Sequence, residues 1–120
     1  MSGQWLTDTK LWLTKRRSQR ILWNVPVVVH RSPKEGPPFY ERTETLIVNA
    51  HGALMPLAVM VAPKQRLLMQ NIESKEQQEC RVVYVEKDLT GPPRVAVEFT
   101  RPAPSFWGIA YPPADWPAGA

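Results

Sequence analysis

The chain has 120 residues, room for one domain of ordinary size and not for two. With 43% hydrophobic residues, 22% charged residues and a formal net charge of +4, it can bury a core, which excludes wholesale disorder. No apolar run approaches the roughly 20 residues of a membrane helix, the opening MSGQWLTDTK lacks the layout of a signal peptide, and Cys80 is the single cysteine, so a soluble, cytoplasmic protein without internal disulfides is expected.

Residues 1–19 read as a basic arm. Trp5, Leu6, Leu11, Trp12 and Leu13 are spaced loosely for a short helix without forming a clean stripe. Lys10, Lys15, Arg16, Arg17 and Arg20 face only Asp8 across the first twenty residues, while the remaining chain carries equal numbers of basic and acidic groups. The whole positive excess therefore sits at one end. Such a patch attracts anions, and arginine adds a planar fork that fits phosphate oxygens. A solvated charge run is the plain alternative.

Residues 20–31 hold ILWNVPVVVH, dense in β-branched side chains that favour a pleated backbone. A strand is predicted there, and Pro26, which has no N–H for a ladder, places it at a sheet edge or at a bulge. SPKEGPP then turns the chain. Residues 39–49 (FYERTETLIVN) read as the second strand, and Asn49, His51 and Gly52 mark a hairpin reversal, where Asn and Gly tolerate left-handed backbone. ALMPLAVMVA resumes the apolar pattern, RLLMQNI is a short strand, and ESKEQQE is a polar connector. CRVVYVEK and RVAVEFT alternate, with Val95, Val97 and Phe99 on one face. Leu46, Val48, Val83, Val85, Val95, Val97 and Phe99 are the candidate core.

Short strands separated by turn signals, with no amphipathic crossover helix, point to an all-β antiparallel barrel or sandwich over residues 20–100. Residues 101–120 form a tail rich in proline and aromatic residues, among them Phe106, Trp107, Tyr111 and Trp116. The prolines forbid a regular ladder. These aromatics either cap an open end of the barrel or form a docking strip for a partner protein.

Catalytic signatures are missing: there is no G-x-S-x-G elbow, no phosphate-cradling glycine loop, and no spacing of Cys80 with His30 and His51 that would hold a metal. Neither an enzyme, a metal centre nor a cofactor is expected.

Three features in order carry a resemblance. They are an R-x-x-x-R spacing directly before the first strand (Arg16-Arg17-Ser18-Gln19-Arg20), a turn with Asn then Gly after the second (Val48-Asn49-Ala50-His51-Gly52-Ala53-Leu54), and a last strand with V-x-F (Val97-Glu98-Phe99). Over residues 15–100 the chain resembles a PilZ domain, and its aromatic end is similar to the tail of some short bacterial members. The resemblance implies a six-stranded antiparallel barrel that binds the bacterial second messenger cyclic di-GMP. It implies that Arg16 and Arg20, with Arg17 in support, fork onto phosphate oxygens or the guanine Hoogsteen edge. It also implies that Asn49, His51 and Gly52 form the second part of the site. The family turn is (D/N)-x-S-x-x-G, and Asn49 fits its first position. Without a gap His51 stands in place of the serine and Leu54 in place of the glycine; with a shorter turn Gly52 supplies the glycine and the serine has no counterpart. His51 can donate from a ring nitrogen and stack on a purine. The leading expectation is thus a cyclic di-GMP effector with an unnamed downstream protein partner. A degenerate domain that has lost the nucleotide and serves as a protein-interaction adaptor is the second, and a basic barrel for RNA or single-stranded DNA ranks last.

Overall fold

The computed structural model describes residues 19–31, 34–87, 90–110 and 112–116. They form one antiparallel sheet of eight strands: β1 (Ile21–Leu22), β2 (Pro26–Arg31), β3 (Tyr40–Glu44), β4 (Ile47–Asn49), β5 (Gly52–Pro56), β6 (Arg66–Asn71), β7 (Gln77–Glu86) and β8 (Arg94–Phe99), followed by a 3-10 turn at Pro104–Trp107. Their order across the sheet is β1-β4-β5-β8-β7-β6-β2-β3.

Eight strands replace the expected six because two of the predicted strands are broken. The first divides into β1 and β2 and the second into β3 and β4, and the two breaks face each other. Thr45 holds them together: its hydroxyl accepts the Val25 N–H at 2.8 Å and donates to the Trp23 carbonyl at 2.7 Å, while the Thr45 N–H donates to the Val25 carbonyl at 3.1 Å. Because β1 pairs with β4 at one end of the sheet and β2 with β3 at the other, the two ends are halves of one kinked ladder. That continuity curls the sheet into a barrel-like shape around its apolar face.

Pro26 is neither at an edge nor at a bulge. It is the first residue of β2, which lies between β6 and β3, and its carbonyl accepts the Ile72 N–H at 3.1 Å. The first strand position tolerates proline because the missing N–H falls at the break. Edge strand β3 is tied down rather than left bare: the Glu41 carboxylate accepts the N–H groups of Ala58 and Val59 at 2.7 and 2.9 Å, and the Thr43 hydroxyl donates to the Pro56 carbonyl at 2.7 Å. Covering an edge in this way removes a template for unwanted pairing.

The core gathers Val27, Val29, Val48, Met55, Leu57, Leu67, Met69, Val82, Val95 and Val97, each fully buried side chain contributing about 1.5–3 kcal/mol. Val48, Val95, Val97 and Phe99 were expected there and are buried, whereas Leu46 and Val85 are only half-buried. Val83 is 41% exposed. The register explains the reversal: Val82 pairs with Val97 and Tyr84 with Ala96, so Val83 is the extra residue of a β-bulge. One inserted residue shifts the inward set from the odd to the even positions on its N-terminal side. The polar connector is also shorter than expected, since Gln77, Gln78 and Glu79 already belong to β7. Asn71 closes the turn before it by accepting the N–H groups of Glu73 and Ser74. No helix among the described residues is long and apolar enough to cross a membrane.

Candidate functional site

The hairpin between β4 and β5 is as tight as the sequence suggested: Asn49 pairs with Gly52, leaving Ala50 and His51 as a two-residue loop. Its backbone differs from the expected one. None of residues 49–52 has a positive φ. Asn49 acts through its side chain instead, its Oδ1 accepting the His51 N–H at 2.8 Å, the local bond for which Asn is favoured in turns. Gly52 is required for space. A Cβ there would collide with the Val97 carbonyl oxygen and lie 3.0 Å from the carbonyl carbon, so β5 approaches β8 as closely as it does because residue 52 has no side chain.

Pairing then sorts the neighbouring residues into rows. Val48, Ala53, Val97 and Val82 align across β4, β5, β8 and β7 and all face the core. One step along, Asn49, Gly52, Glu98 and Arg81 form the next row. Alternation puts these on the opposite face. Arg20 immediately precedes β1, whose Ile21 pairs with Val48, and so enters the sheet beside Asn49. Arg20 is half-buried and already in contact with its surroundings, not the fully exposed side chain that a solvated arm would present. Arg81 and Glu98 form an ion pair at 3.5 Å with the arginine side chain 55% exposed. No local pattern encodes this pair, because its two members lie 17 positions apart on different strands and meet only through the β7–β8 register. The outward position of Glu98 in RVAVEFT was the signal that could have found it.

The tail completes this end of the molecule. Among the described aromatics of the tail, Phe106, Trp107 and Trp116 are 1%, 3% and 6% exposed, so these three lie against the barrel and are not an open docking strip. Ala103 donates its N–H to the Ala50 carbonyl at 2.8 Å, and Phe99 donates to the His51 carbonyl at 2.7 Å. The Trp107 ring stacks on Phe99 and meets Phe106 edge-on, and Gly108, with φ at 70°, ends the 3-10 turn. Farther on, the Trp116 indole N–H donates to the Gln19 carbonyl at 2.7 Å and Asp115 Oδ1 accepts the Gln19 N–H at 3.0 Å.

Of the six residues singled out from the sequence, Arg20, Asn49, His51 and Gly52 lie at one end of the sheet, while Arg16 and Arg17 fall outside the described residues. Cys80 has no place in this site. It is buried in the core, and burial first, with Glu79 second, pushes its thiol up to about 12, so it is not a nucleophile near neutral pH. Among the described residues no three His, Cys, Asp or Glu side chains converge to hold a metal ion.

No protein-family model matches this chain, and no curated protein matches it either. Among solved structures, the Bacillus subtilis inhibitor of motility MotI/DgrA is similar, with a TM-score of 0.58 at 18% sequence identity over 74% of this chain. At that identity the likeness concerns the fold. The matched region is 44% of the neighbour's chain, so the present chain spans less than half of its length.

Proposed function

We propose that this protein is a PilZ-like module that binds cyclic di-GMP at the end of the sheet built from Arg20 and the β4–β5 turn, and acts as a cytoplasmic second-messenger effector through a protein partner. The observation that carries this reading is the convergence of Arg20 with Asn49, His51 and Gly52, brought about by the β1–β4 pairing, on a fold similar to an inhibitor of motility. Arg20, with Arg16 and Arg17 from the arm, supplies guanidinium forks for phosphate or the guanine Hoogsteen edge. His51 provides a ring nitrogen and a stacking face where the family turn has a serine, and Asn49 holds the loop in shape. The fixed turn needs no ordering on binding, which favours affinity.

One observation favours the adaptor reading. The Asn49 amide oxygen is already engaged by the His51 N–H, and no serine stands in the turn. In that reading the partner surface is the exposed pair Leu22 and Trp23, 81% and 46% accessible, and not the buried indoles Trp107 and Trp116. Calorimetric titration of the full chain with cyclic di-GMP separates the two. Saturable binding in the micromolar range supports the nucleotide reading, and no heat at millimolar nucleotide removes it.

A further inference from the structure

The Pro/aromatic tail touches both parts of the candidate site through separate hydrogen bonds. On one side, the Trp107 indole donates to the Asn49 carbonyl at 2.7 Å and Ala103 donates to the Ala50 carbonyl, so the tail grips the backbone of the turn. On the other, Trp116 and Asp115 hold both the carbonyl and the N–H of Gln19, the residue preceding Arg20. A fifth bond, from Asn71 Nδ2 to the Phe106 carbonyl at 2.8 Å, ties the middle of the tail to the β6–β7 turn. Trp107 and Trp116 are both buried, where an unpaired indole N–H is costly, so each bond favours the docked tail over a released one.

We infer that the tail is a positioning element that couples the root of the basic arm to the β4–β5 turn, with Trp116 and Asp115 setting where Arg20 stands relative to Asn49. Strand β1, whose pairing with β4 brings Arg20 beside Asn49, is only two residues long. A short terminal strand frays readily, and the two bonds from the tail close it from outside. Coupling of this kind is reciprocal. Whatever lifts the tail loosens Arg20 and the turn together, and whatever grips Arg20 and the turn together holds the tail down. On the cyclic di-GMP reading, on which this consequence rests, the tail is the segment whose release a partner protein would trade against the nucleotide.

The test uses the full chain and three variants: Trp116→Phe, which keeps a ring and removes the indole donor; Asp115→Ala, which removes the acceptor for Gln19 at an exposed position; and Trp107→Phe. Amide hydrogen exchange is read at Gln19 and at His51. Losing one hydrogen bond corresponds to about a fivefold change in an opening equilibrium, so Trp116→Phe and Asp115→Ala are expected to speed exchange at Gln19 by about that factor. The coupling predicts more: Trp116→Phe also speeds exchange at His51, and Trp107→Phe speeds it at Gln19. Effects confined to the residue each variant touches overturn the inference, even if both variants melt at a lower temperature. Should Trp116→Phe fail to fold, Asp115→Ala carries the same cross-comparison. In parallel, cyclic di-GMP is titrated into wild type and Asp115→Ala. Binding by wild type that weakens about fivefold in the variant supports the coupling, and equal affinities overturn its functional consequence. If wild type does not bind, the nucleotide reading falls and the exchange data alone judge the coupling.

Discussion

The hydroxyl of Thr45 accepts the N–H of Val25 across the break in the curled sheet, at 2.8 Å and in a fully buried position. The O–H of the same hydroxyl donates to the Trp23 carbonyl, and the Asn24 side-chain amide donates to the Thr45 carbonyl at 2.7 Å. One small polar residue therefore satisfies backbone groups that the interruptions of both strands would strand. A kink in the core side of a sheet is tolerable only when its freed donors and acceptors find partners.

Thr45→Val keeps the shape and deletes the hydroxyl, leaving the Val25 N–H without that acceptor and the Trp23 carbonyl without that donor. The expected loss is about 1–3 kcal/mol for the buried unsatisfied group, read as a lower denaturation midpoint with an unchanged slope in urea. Thr45→Ser preserves both bonds and removes only a methyl group, for a cost of about 1 kcal/mol. Equal destabilisation by the two variants would show that packing rather than hydrogen bonding holds the break.

Gly52→Ala tests the close approach of β5 and β8. The new methyl meets backbone atoms of Val97, which cannot swing away as a side chain can, so the pair of strands must separate locally. Overpacking of this kind costs about 1–3 kcal/mol. Because residue 52 has no positive φ, the loss arises from space and not from backbone strain. A mixed outcome is informative: a folded Gly52→Ala protein with intact cyclic di-GMP affinity would show that the turn's outer shape, rather than the spacing of β5 and β8, serves the ligand.

How far the sequence led can be seen at particular residues. The hairpin at 49–52 was legible because a short polar interruption between two apolar runs leaves the chain few ways to reverse, and the alternation of RVAVEFT located Val95, Val97 and Phe99 correctly. The bulge at Val83 was not legible, since within CRVVYVEK the stretch Val82-Val83-Tyr84-Val85 is apolar in both phases of the two-residue period and only pairing with β8 decides between them. The breaks at Trp23 to Val25 and at Thr45 were hidden for a similar reason: Thr45 sits among strand formers, and its use as a bridge depends on a residue 20 positions away. At the site, Asn49 and Gly52 announced a turn, but their roles, a side-chain acceptor and a missing Cβ, emerged only with the neighbouring strand in place. The tail's two indole bonds span 58 and 97 positions, and no local pattern encodes contacts of that range.

Cys80 gives a prediction about alkaline pH. In the folded protein its thiol is pushed up to about 12, mainly by burial, while in the unfolded chain it ionises near the usual thiol value of about 8.5. The folded state thus holds the proton more tightly. Below about pH 8.5 both states are protonated and the thiol adds no pH dependence; above it the unfolded state alone loses the proton, and stability falls by up to about 1.4 kcal/mol per pH unit until the folded thiol also ionises. Cys80→Ala should flatten the decline of the urea midpoint between pH 9 and 11, at the cost of some core packing at every pH. A thiol reagent at pH 8 should label native protein only as fast as it opens. Rapid stoichiometric labelling without denaturant would contradict the buried, protonated state.

Arg20 is the arginine of the R-x-x-x-R spacing that lies among the described residues, and the β1–β4 pairing brings it beside the turn. Charge-assisted hydrogen bonds contribute about 1.5–3 kcal/mol each, so Arg20→Ala should weaken cyclic di-GMP binding by about tenfold to a hundredfold. Arg20 is half-buried, and its aliphatic stem contributes packing as well as charge, so a modest fall in melting temperature should accompany the loss. Arg20→Lys separates the two effects. Lysine keeps the charge and most of the stem but lacks the planar fork, so it should recover the melting temperature and only part of the affinity. If Lys restores affinity fully, the site needs a charge and not a bidentate donor, and the guanine-edge contact is excluded. Salt completes the assignment: a ligand with two phosphates gives a shallow dependence of affinity on ionic strength, whereas a nucleic acid lying across many phosphates gives a steep one. A steep slope for single-stranded DNA together with no binding of the dinucleotide would move Arg20 from a nucleotide-sensing role to nucleic-acid attachment.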